Sequence, residues 1–514
     1  MSLLSSLPLS NGRPLPGFNL DGLILAIGLL VTALLYTARR RRSPFANFPL
    51  PPGPRRLPII GNVLDIPKAQ EWLVYQGWSK KFGSDLVHMD LFGTHMIIVN
   101  SAKAAHELFE KRSAIYSDRH RRCRLKLEWV LAFTPYGQRW RDVRKEFHEH
   151  FRQAAVVQYR PVEVKATHRL LARMLQKPND FMDHLRHMAG EIILNIAYGI
   201  DVKPHGDPYV DTAEKALQSF AWGSTFGMMF DYVPALLHIP DWFPGAGFKK
   251  HAQQWIAVNL AVVEAPFRFV KDALAKGTAA PSIATTALTQ LHPHSDETLP
   301  QHVLGNMYIG ASTVSSLGTF FLAMACYPEA MRKAQAELDT VIGKDRLPEF
   351  ADMESLPYVS ALVKEILRWR PVGPLAVPHR VTSDDVYEGY YIPAGSIVMG
   401  SAWSILHDEE TYPDAAAFKP EHFLGEGAVE FPEYAFGFGR RVCPGRFLAR
   451  ASLWITIACL LHTFHVEKKR DENGQIVEPV DFYSSGILSY PAPFEVSIKP
   501  RSESAVNLIR AVNL

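Results

Sequence analysis

Phe436-Gly437-Phe438-Gly439-Arg440-Arg441-Val442-Cys443-Pro444-Gly445 is the stretch on which the reading of this chain turns. A single cysteine stands in a glycine-rich loop, two residues after an arginine, and an apolar, helix-like run from Arg446 to Leu461 follows it. A thiolate needs positive potential around it, which the free N–H groups and aligned dipoles of a helix N-terminus supply. Pro444 suits a first helical position. Gly437, Gly439 and Gly445 let the backbone turn tightly and approach a flat ligand closely. Arg441 can pair with an acidic group beside the sulfur. A thiolate presented in this way suits a haem iron as its axial ligand. The alternative is a buried structural cysteine in a glycine-rich turn.

Phe436, Gly439, Arg441, Cys443 and Gly445 fill the fixed positions of Phe-x-x-Gly-x-Arg-x-Cys-x-Gly. The stretch resembles the haem-binding loop of the cytochrome P-450 family, and the likeness extends from about Pro49 to about Pro500. It implies a mainly α protein with small β-sheets, the cytochrome P-450 fold, carrying an N-terminal single transmembrane helix. The implied cofactor is haem b, iron protoporphyrin IX, with Cys443 as the axial thiolate and Phe436, Gly437, Arg441 and Gly445 around it.

The chain has 514 residues and a formal charge of +3, too small a balance for a nucleic-acid binder. Its four cysteines, Cys123, Cys326, Cys443 and Cys459, show no disulfide spacing and suit a reducing compartment. Cys326 and Cys459 read as small core residues, and Cys123 is assigned no role.

Residues Gly22 to Ala38 carry no charge, and Arg39 to Arg42 follow at once. Such a run rises about 26 Å as a helix, enough to span a thin hydrocarbon core. A cleaved signal peptide is the competing reading, but no basic region precedes the run and no small-residue cleavage site follows it. The arginines keep to the cytoplasmic side. Residues 1–21 are thus expected in the lumen, 22–38 as the anchor, 39–62 as a basic stop-transfer and proline-rich hinge, 63–500 as the catalytic domain facing the cytosol, and 501–514 as a tail. The resemblance places the protein in the endoplasmic reticulum membrane as a single-pass protein of the eukaryotic microsomal type.

Helical periodicity is predicted at Ala102–Lys111, Arg139–Phe151, Val157–Leu175, Ala213–Gln218, His251–Ala275, Pro300–Tyr327, Pro328–Ile342 and Leu356–Trp369. Leu86 to Asn100 reads as a hairpin with a turn at Gly93-Thr94, and Val386–Tyr391 and Ser396–Gly400 as strand-like pieces.

Glu365 and Arg368 are three residues apart on one helix face, a spacing common on solvated helices as well. Here the pair resembles the family's Glu-x-x-Arg brace. Phe418-Lys419-Pro420-Glu421-His422-Phe423 resembles the family's Phe-x-Pro-Glu-Arg-Phe, with His422 where the bracing arginine stands. A neutral imidazole lacks the guanidinium fork, so a weaker or pH-dependent brace is expected. Trp140 and Arg144 resemble the family's Trp-x-x-x-Arg and imply contact with one haem propionate, the neighbouring cations facing an acidic redox partner. An exposed basic helix would account for the same cations. Pro378-His379-Arg380 resembles the strand at the other propionate, with His379 the expected contact and Arg380 second.

The oxygen-activating helix departs from the family pattern Ala/Gly-Gly-x-Asp/Glu-Thr-Thr/Ser. The chain reads Tyr308-Ile309-Gly310-Ala311-Ser312-Thr313-Val314-Ser315. One register puts Ala311 at the acid position and Ser312 at the alcohol; the other shifts to Ser312 and Thr313. Neither supplies an acid, and both keep a hydroxyl for proton delivery, so Ser312 and Thr313 are the candidate catalytic residues. A plain core helix of small residues is the alternative.

By resemblance, the pocket walls are Ser113–Thr134, Phe220–Phe230, Val372–Val377 and Gly486–Tyr490, and Trp242-Phe243-Pro244 dips into the bilayer surface. An apolar pocket reached from membrane lipid implies a lipophilic substrate. The local phrasing at Trp242–Gly245 and Phe320–Met324 resembles fungal members that tailor natural products. The expected activity is insertion of one atom of O2 into a terpenoid or polyketide, with electrons from NADPH through NADPH-cytochrome reductase and cytochrome b5 as a second donor. Two other readings stay open: a haem-thiolate isomerase, dehydratase or peroxide-using enzyme, and a non-catalytic haem-binding protein.

Overall fold

The computed structural model describes residue 45 and residues 47–119, 127–225, 247–292, 295–310 and 313–512. The expected anchor at 22–38, Cys123, Phe226–Phe230, Trp242–Pro244, Ala311 and Ser312 lie outside the described residues.

Helices dominate. In chain order the longer ones are α1 (Glu71–Phe82), α2 (Gln138–Phe151), α3 (Arg160–Gln176), α4 (Phe181–Tyr198), α5 (Pro208–Thr225) and α6 (Phe248–Ala275). They continue with α7 (Ile283–Gln290), α8 (Thr298–Tyr308), α9 (Thr313–Cys326), α10 (Pro328–Val341), α11 (Pro357–Trp369), α12 (Arg446–Thr463) and α13 (Glu503–Ala511). The strands are β1 (Leu86–Leu91), β2 (Thr94–Val99), β3 (His379–Arg380), β4 (Asp385–Tyr387), β5 (Tyr390–Ile392), β6 (Ile397–Gly400), β7 (Phe464–Lys468) and β8 (Val496–Pro500).

The chain divides into two units. In the larger, β1, β2, β6 and β3 form one sheet in that order, with β2 and β6 parallel and the other pairs antiparallel. The β1–β2 hairpin forms as the alternation predicts, but it turns at Phe92–Gly93, one residue before the expected Gly93-Thr94. The smaller unit contains the β4–β5 hairpin, where the sequence suggested a single strand-like piece. There the Tyr391 N–H donates to the Pro49 carbonyl at 2.7 Å, and the Phe45 ring stacks 6.2 Å from that of Tyr391.

Residues 51–62, read as the end of a connector, are bonded to β1. The His88 N–H donates to the Pro52 carbonyl at 2.8 Å, and the Asn62 N–H to the Asp90 carbonyl at 2.6 Å. Gly53 lies so close to the strand that a Cβ would stand 1.9 Å from the His88 oxygen. The stretch read as a C-terminal tail contains α13, capped by the Ser502 hydroxyl and burying Ala505 and Ile509.

α4 escaped the periodicity reading because it is buried on nearly every side, so no polar stripe marks it. The helix expected from Pro300 to Tyr327 is found as α8 and α9, on either side of residues 311 and 312, which lie outside the described residues. At the end of α8 the Ile309 N–H donates to the Gly305 carbonyl and the Gly310 N–H to the Met307 carbonyl, the latter a tighter turn than the α-helical repeat. α4, α9 and α12 supply much of the apolar core.

Candidate active site

Cys443 ends a loop built on two glycines. Gly437 has φ +91° and Gly439 φ +54°, a region L side chains rarely adopt. A Cβ on Gly439 would lie 2.1 Å from the Phe109 carbonyl oxygen. That carbonyl belongs to a π-helical stretch, His106–Lys111, whose Glu110 carboxylate accepts the Gly439 N–H at 2.8 Å. The Cys443 N–H then donates to the Phe436 carbonyl at 2.8 Å. α12 begins at Arg446 with Gly445 as its cap, so Pro444 stands in the turn before the helix and not at its first position. Burial pushes the Cys443 thiol up, while a backbone hydrogen bond from Gly445 and the charges of Arg144 and Arg446 act the other way.

Cys443 opens onto a cavity of about 380 Å³ with mostly apolar walls. Trp140 and Arg144, one turn apart on α2, both reach it, as do His379, Phe436, Gly437, Arg441 and Gly445. Thr313 lines it from α9. The expected walls contribute Arg119, Val130–Phe133, Val372, Gly373, Leu375–Val377 and Ile487–Leu488.

The polar groups around this cavity differ in what they have to spare. Arg441 donates from Nε to the Ser117 carbonyl at 2.8 Å, from Nη1 to Leu131 at 3.2 Å and from Nη2 to Thr134 at 3.0 Å. Two of its five N–H groups remain. Burial brings its pKa down to about 10, against the field of Asp118. His379 donates Nδ1–H to the Tyr116 carbonyl at 2.6 Å, and burial holds its pKa well below the usual histidine range. Nε2 therefore carries a lone pair, and a carboxylate arriving there would draw a second proton onto the ring. Arg380, expected as a second contact, is exposed and lies 3.8 Å from Asp118; it does not line the cavity. Among the described residues no hydrogen bond or ion pair reaches Arg144, whose pKa burial lowers to about 10. The buried indole N–H of Trp140 likewise has no acceptor.

On α11, Glu365 and Arg368 are wholly buried. Arg368 spends all five N–H groups: two on Glu365 at 2.7 Å each, and one each on the carbonyls of Leu406, Ala415 and Ala417 at 2.9 Å. Glu365 also accepts the Lys419 N–H at 2.7 Å and faces His422 Nδ1 at 3.3 Å. His422 Nε2 donates to the Pro413 carbonyl at 2.8 Å. Both ring nitrogens thus meet acceptors, which suits an imidazolium and not the neutral ring expected from sequence.

Residues 51–497 match the cytochrome P-450 family. Cytochrome P-450 monooxygenase 208 of Postia placenta is 43% identical over 499 residues, covering 94% of this chain and 96% of its own. The cytochrome P-450 monooxygenase ple1 of Rhodocybe pseudopiperita is 42% identical, over 90% of this chain and 92% of its own. The tryptamine 4-monooxygenase of Psilocybe cyanescens is 35% identical, over 95% and 99%. The chain belongs to the cytochrome P-450 family. It is an oxidoreductase, and the cofactor of cytochromes P-450 is haem held by a cysteine thiolate.

The residues of this cytochrome P-450 fit that cofactor. A planar group bearing two carboxylates needs a sulfur ligand, open space beside it and unspent cationic donors. Cys443 supplies the first, and nothing stands within 4 Å of where a Gly445 Cβ would be. Arg144, the Trp140 N–H and the spare Arg441 donors supply the last. Sequence reasoning did not single out Arg119, Asn306 or Ser316, which also line the cavity. Arg119 is one cation in a run of basic residues and carries no local signature. Asn306 is buried on α8, accepts the Leu131 N–H at 2.6 Å and donates to the Trp129 carbonyl at 2.8 Å, fastening one wall to the helix. Ser316 follows Thr313 by one helical turn, a spacing that could have drawn notice.

Proposed function

We propose that this cytochrome P-450 is a membrane-anchored monooxygenase that places one oxygen atom from O2 on a neutral, lipophilic secondary metabolite, a terpenoid or polyketide. Electrons come from NADPH through a flavoprotein reductase, with cytochrome b5 as a second donor. The observation that carries this reading is the apolar cavity lined by both Cys443 and Thr313. No carboxylate lines it among the described residues, so nothing there pairs with an ammonium group. A neutral substrate suits it better than an amine of the kind that the Psilocybe relative's name describes.

When bound, the haem-thiolate supplies oxygen activation, the push of the sulfur's electron density favouring O–O cleavage. The chain's part is to hold, orient and protonate. Cys443 would hold the iron, Phe436, Gly437 and Gly445 would shape the loop beside the cofactor, and Trp140, Arg144, His379 and Arg441 would receive its carboxylates. The apolar walls exclude bulk water and would hold a lipophilic substrate in the same cavity. Thr313 and Ser312 hold the proton that oxygen activation consumes. The anchor at 22–38 keeps the catalytic domain on the cytosolic face of the endoplasmic reticulum.

The absence of an acid along 308–316 favours one second reading, a haem-thiolate isomerase, dehydratase or peroxide-using enzyme. Metabolite profiling of a host expressing the chain with a reductase separates the two: a monooxygenase gives oxygenated product only with NADPH. Reduced wild-type protein under carbon monoxide should show the red-shifted Soret band of thiolate ligation, and Cys443→Ser should lose it together with all turnover. Retention of the band in that variant would remove Cys443 as ligand.

A further inference from the structure

The larger unit buries three glutamates, and two of them are paired. Glu365 meets Arg368. Glu191 meets Arg169 and Arg173. Glu163, on α3, is wholly buried and has no ion-pair partner among the described residues. One carboxyl oxygen accepts the Ser452 hydroxyl at 2.6 Å; the other is buried with no hydrogen bond at all. A carboxyl that served only to pin α3 to α12 would use both oxygens or lie against a cation. One turn further on, Thr167 and Thr456 join the same helices through hydroxyls 3.2 Å apart, without a charge.

Ser452 lies on the cavity face of α12. Gly445, Leu448, Ala449, Ser452 and Leu453 line the same cavity as Cys443, from the helix that follows it directly. Glu163 is therefore one hydrogen bond away from the cofactor's space, on the cysteine side. Burial raises its carboxyl to about 7, against the Ser452 hydrogen bond and the field of Arg160 on its own helix. Of the elements packed on α3 here, α12 presents the hydroxyls of Ser452 and Thr456 and α4 the thioether of Met188, which accepts from Thr456. All are uncharged, so Arg160 is the charged neighbour that acts on it.

We propose that Glu163, through Ser452, is a redox-linked proton acceptor on the cysteine side of the cavity. It takes one proton from solvent when the cofactor receives one electron from the redox partner, and so makes reduction depend on pH. One electron enters, one O–H bond forms on Glu163, and nothing else is exchanged. The sign follows from like charges: added negative charge across Ser452 disfavours the carboxylate and favours the acid. The midpoint potential then falls as pH rises through neutrality. Glu163 acts on the reacting centre only through Ser452, so it is a positioning and tuning residue.

The test is spectroelectrochemical titration of the haem-loaded full chain between pH 5.5 and 8.5. The wild-type midpoint should fall with pH, no more steeply than about 59 mV per unit, the one-electron equivalent of a tenfold change. Glu163→Gln, which keeps the shape and removes the proton, should flatten that dependence. Ser452→Ala, which removes the hydrogen bond that favours the carboxylate, should move it to higher pH. A pH-independent wild-type midpoint, or the same slope in wild type and Glu163→Gln, overturns the proposal. Should the variants not fold, the redox-difference infrared spectrum of wild-type protein decides. A carboxyl C=O band that grows on reduction and shifts in D2O is expected, and its absence refutes the idea. The proposal rests on haem-thiolate ligation, which the carbon monoxide spectrum of the same sample checks separately.

Discussion

All five N–H groups of Arg368 are bonded, whereas the hydroxyls of Thr313 and Ser316, on the cavity face of α9, bond to no described protein group. The first region is wholly buried and leaves no N–H of its arginine unspent; the second keeps hydroxyls unspent where a ligand would come. A buried charge is tolerable only when fully paired, so the brace is complete or it fails. A reacting site needs the reverse, groups poised for partners that are not yet there. The brace is an all-or-none structural device, and the open face is where function can be altered by degrees.

That contrast breaks most visibly at Arg368. Arg368→Ala would strip Glu365 of its cation, leaving it the Lys419 N–H and His422, and would orphan the carbonyls of Leu406, Ala415 and Ala417, a loss of about 3–5 kcal/mol. We expect no haem incorporation and little soluble protein. Arg368→Lys should fare nearly as badly, because an ammonium cannot make two parallel bonds to Glu365 while meeting three carbonyls. A haem-replete Arg368→Ala with near-wild-type melting would show that the brace is dispensable.

Gly439→Ala tests the cysteine loop itself. The new methyl would meet the Phe109 carbonyl oxygen at 2.1 Å in a left-handed backbone conformation, so about 1–3 kcal/mol of strain is expected. Gly445→Ala, with open space at its Cβ, should cost the folded protein little and act instead on haem binding. Thermal melting with and without haem separates the two. Equal losses in both proteins would mean that the Gly439 contact relaxes at no cost.

On the open side, Thr313→Ala should leave folding and substrate binding intact and lower product formed per NADPH consumed. The loss should be smaller than the ~100-fold at the low end for proton-transfer groups, because Ser312 and Ser316 keep hydroxyls nearby. The Ser312→Ala/Thr313→Ala double variant should lose more. Unchanged coupling in the double variant would remove both as proton donors and advance the reading without O2 activation.

What the sequence made legible follows the same division. The cysteine loop, Glu365–Arg368 and Trp140–Arg144 were readable because each needs fixed residue types at fixed spacings; the structure brings the first and the last to one cavity and buries the second as a closed pair. Asn306 was not readable, and Arg119 was so only as part of the expected wall Ser113–Thr134, because their contacts join segments far apart in the chain. α4 was missed because its burial is so complete that it leaves no periodicity to read.

His422 is where the two regions meet in character, a member of the brace that can still titrate. Burial alone would push its pKa down. Hydrogen bonds to Glu365 and the Pro413 carbonyl, with the Glu365 charge, outweigh burial and hold it above the ordinary histidine value. The sign for stability follows. A raised folded pKa gives stabilisation that is complete below the unfolded value, about 6.5, and is lost as pH rises through the folded value. Wild-type protein should therefore lose melting temperature on going from pH 6 toward pH 9 through this site. His422→Arg carries its charge throughout and can pair with Glu365 in a fork, so it should be tolerated and should not show that loss. The variant's advantage should be small at pH 6, where the imidazolium already fills the place, and should grow with pH. Parallel melting curves for the two proteins across that range would mean that His422 stays neutral in the folded state and that the brace closes without its charge.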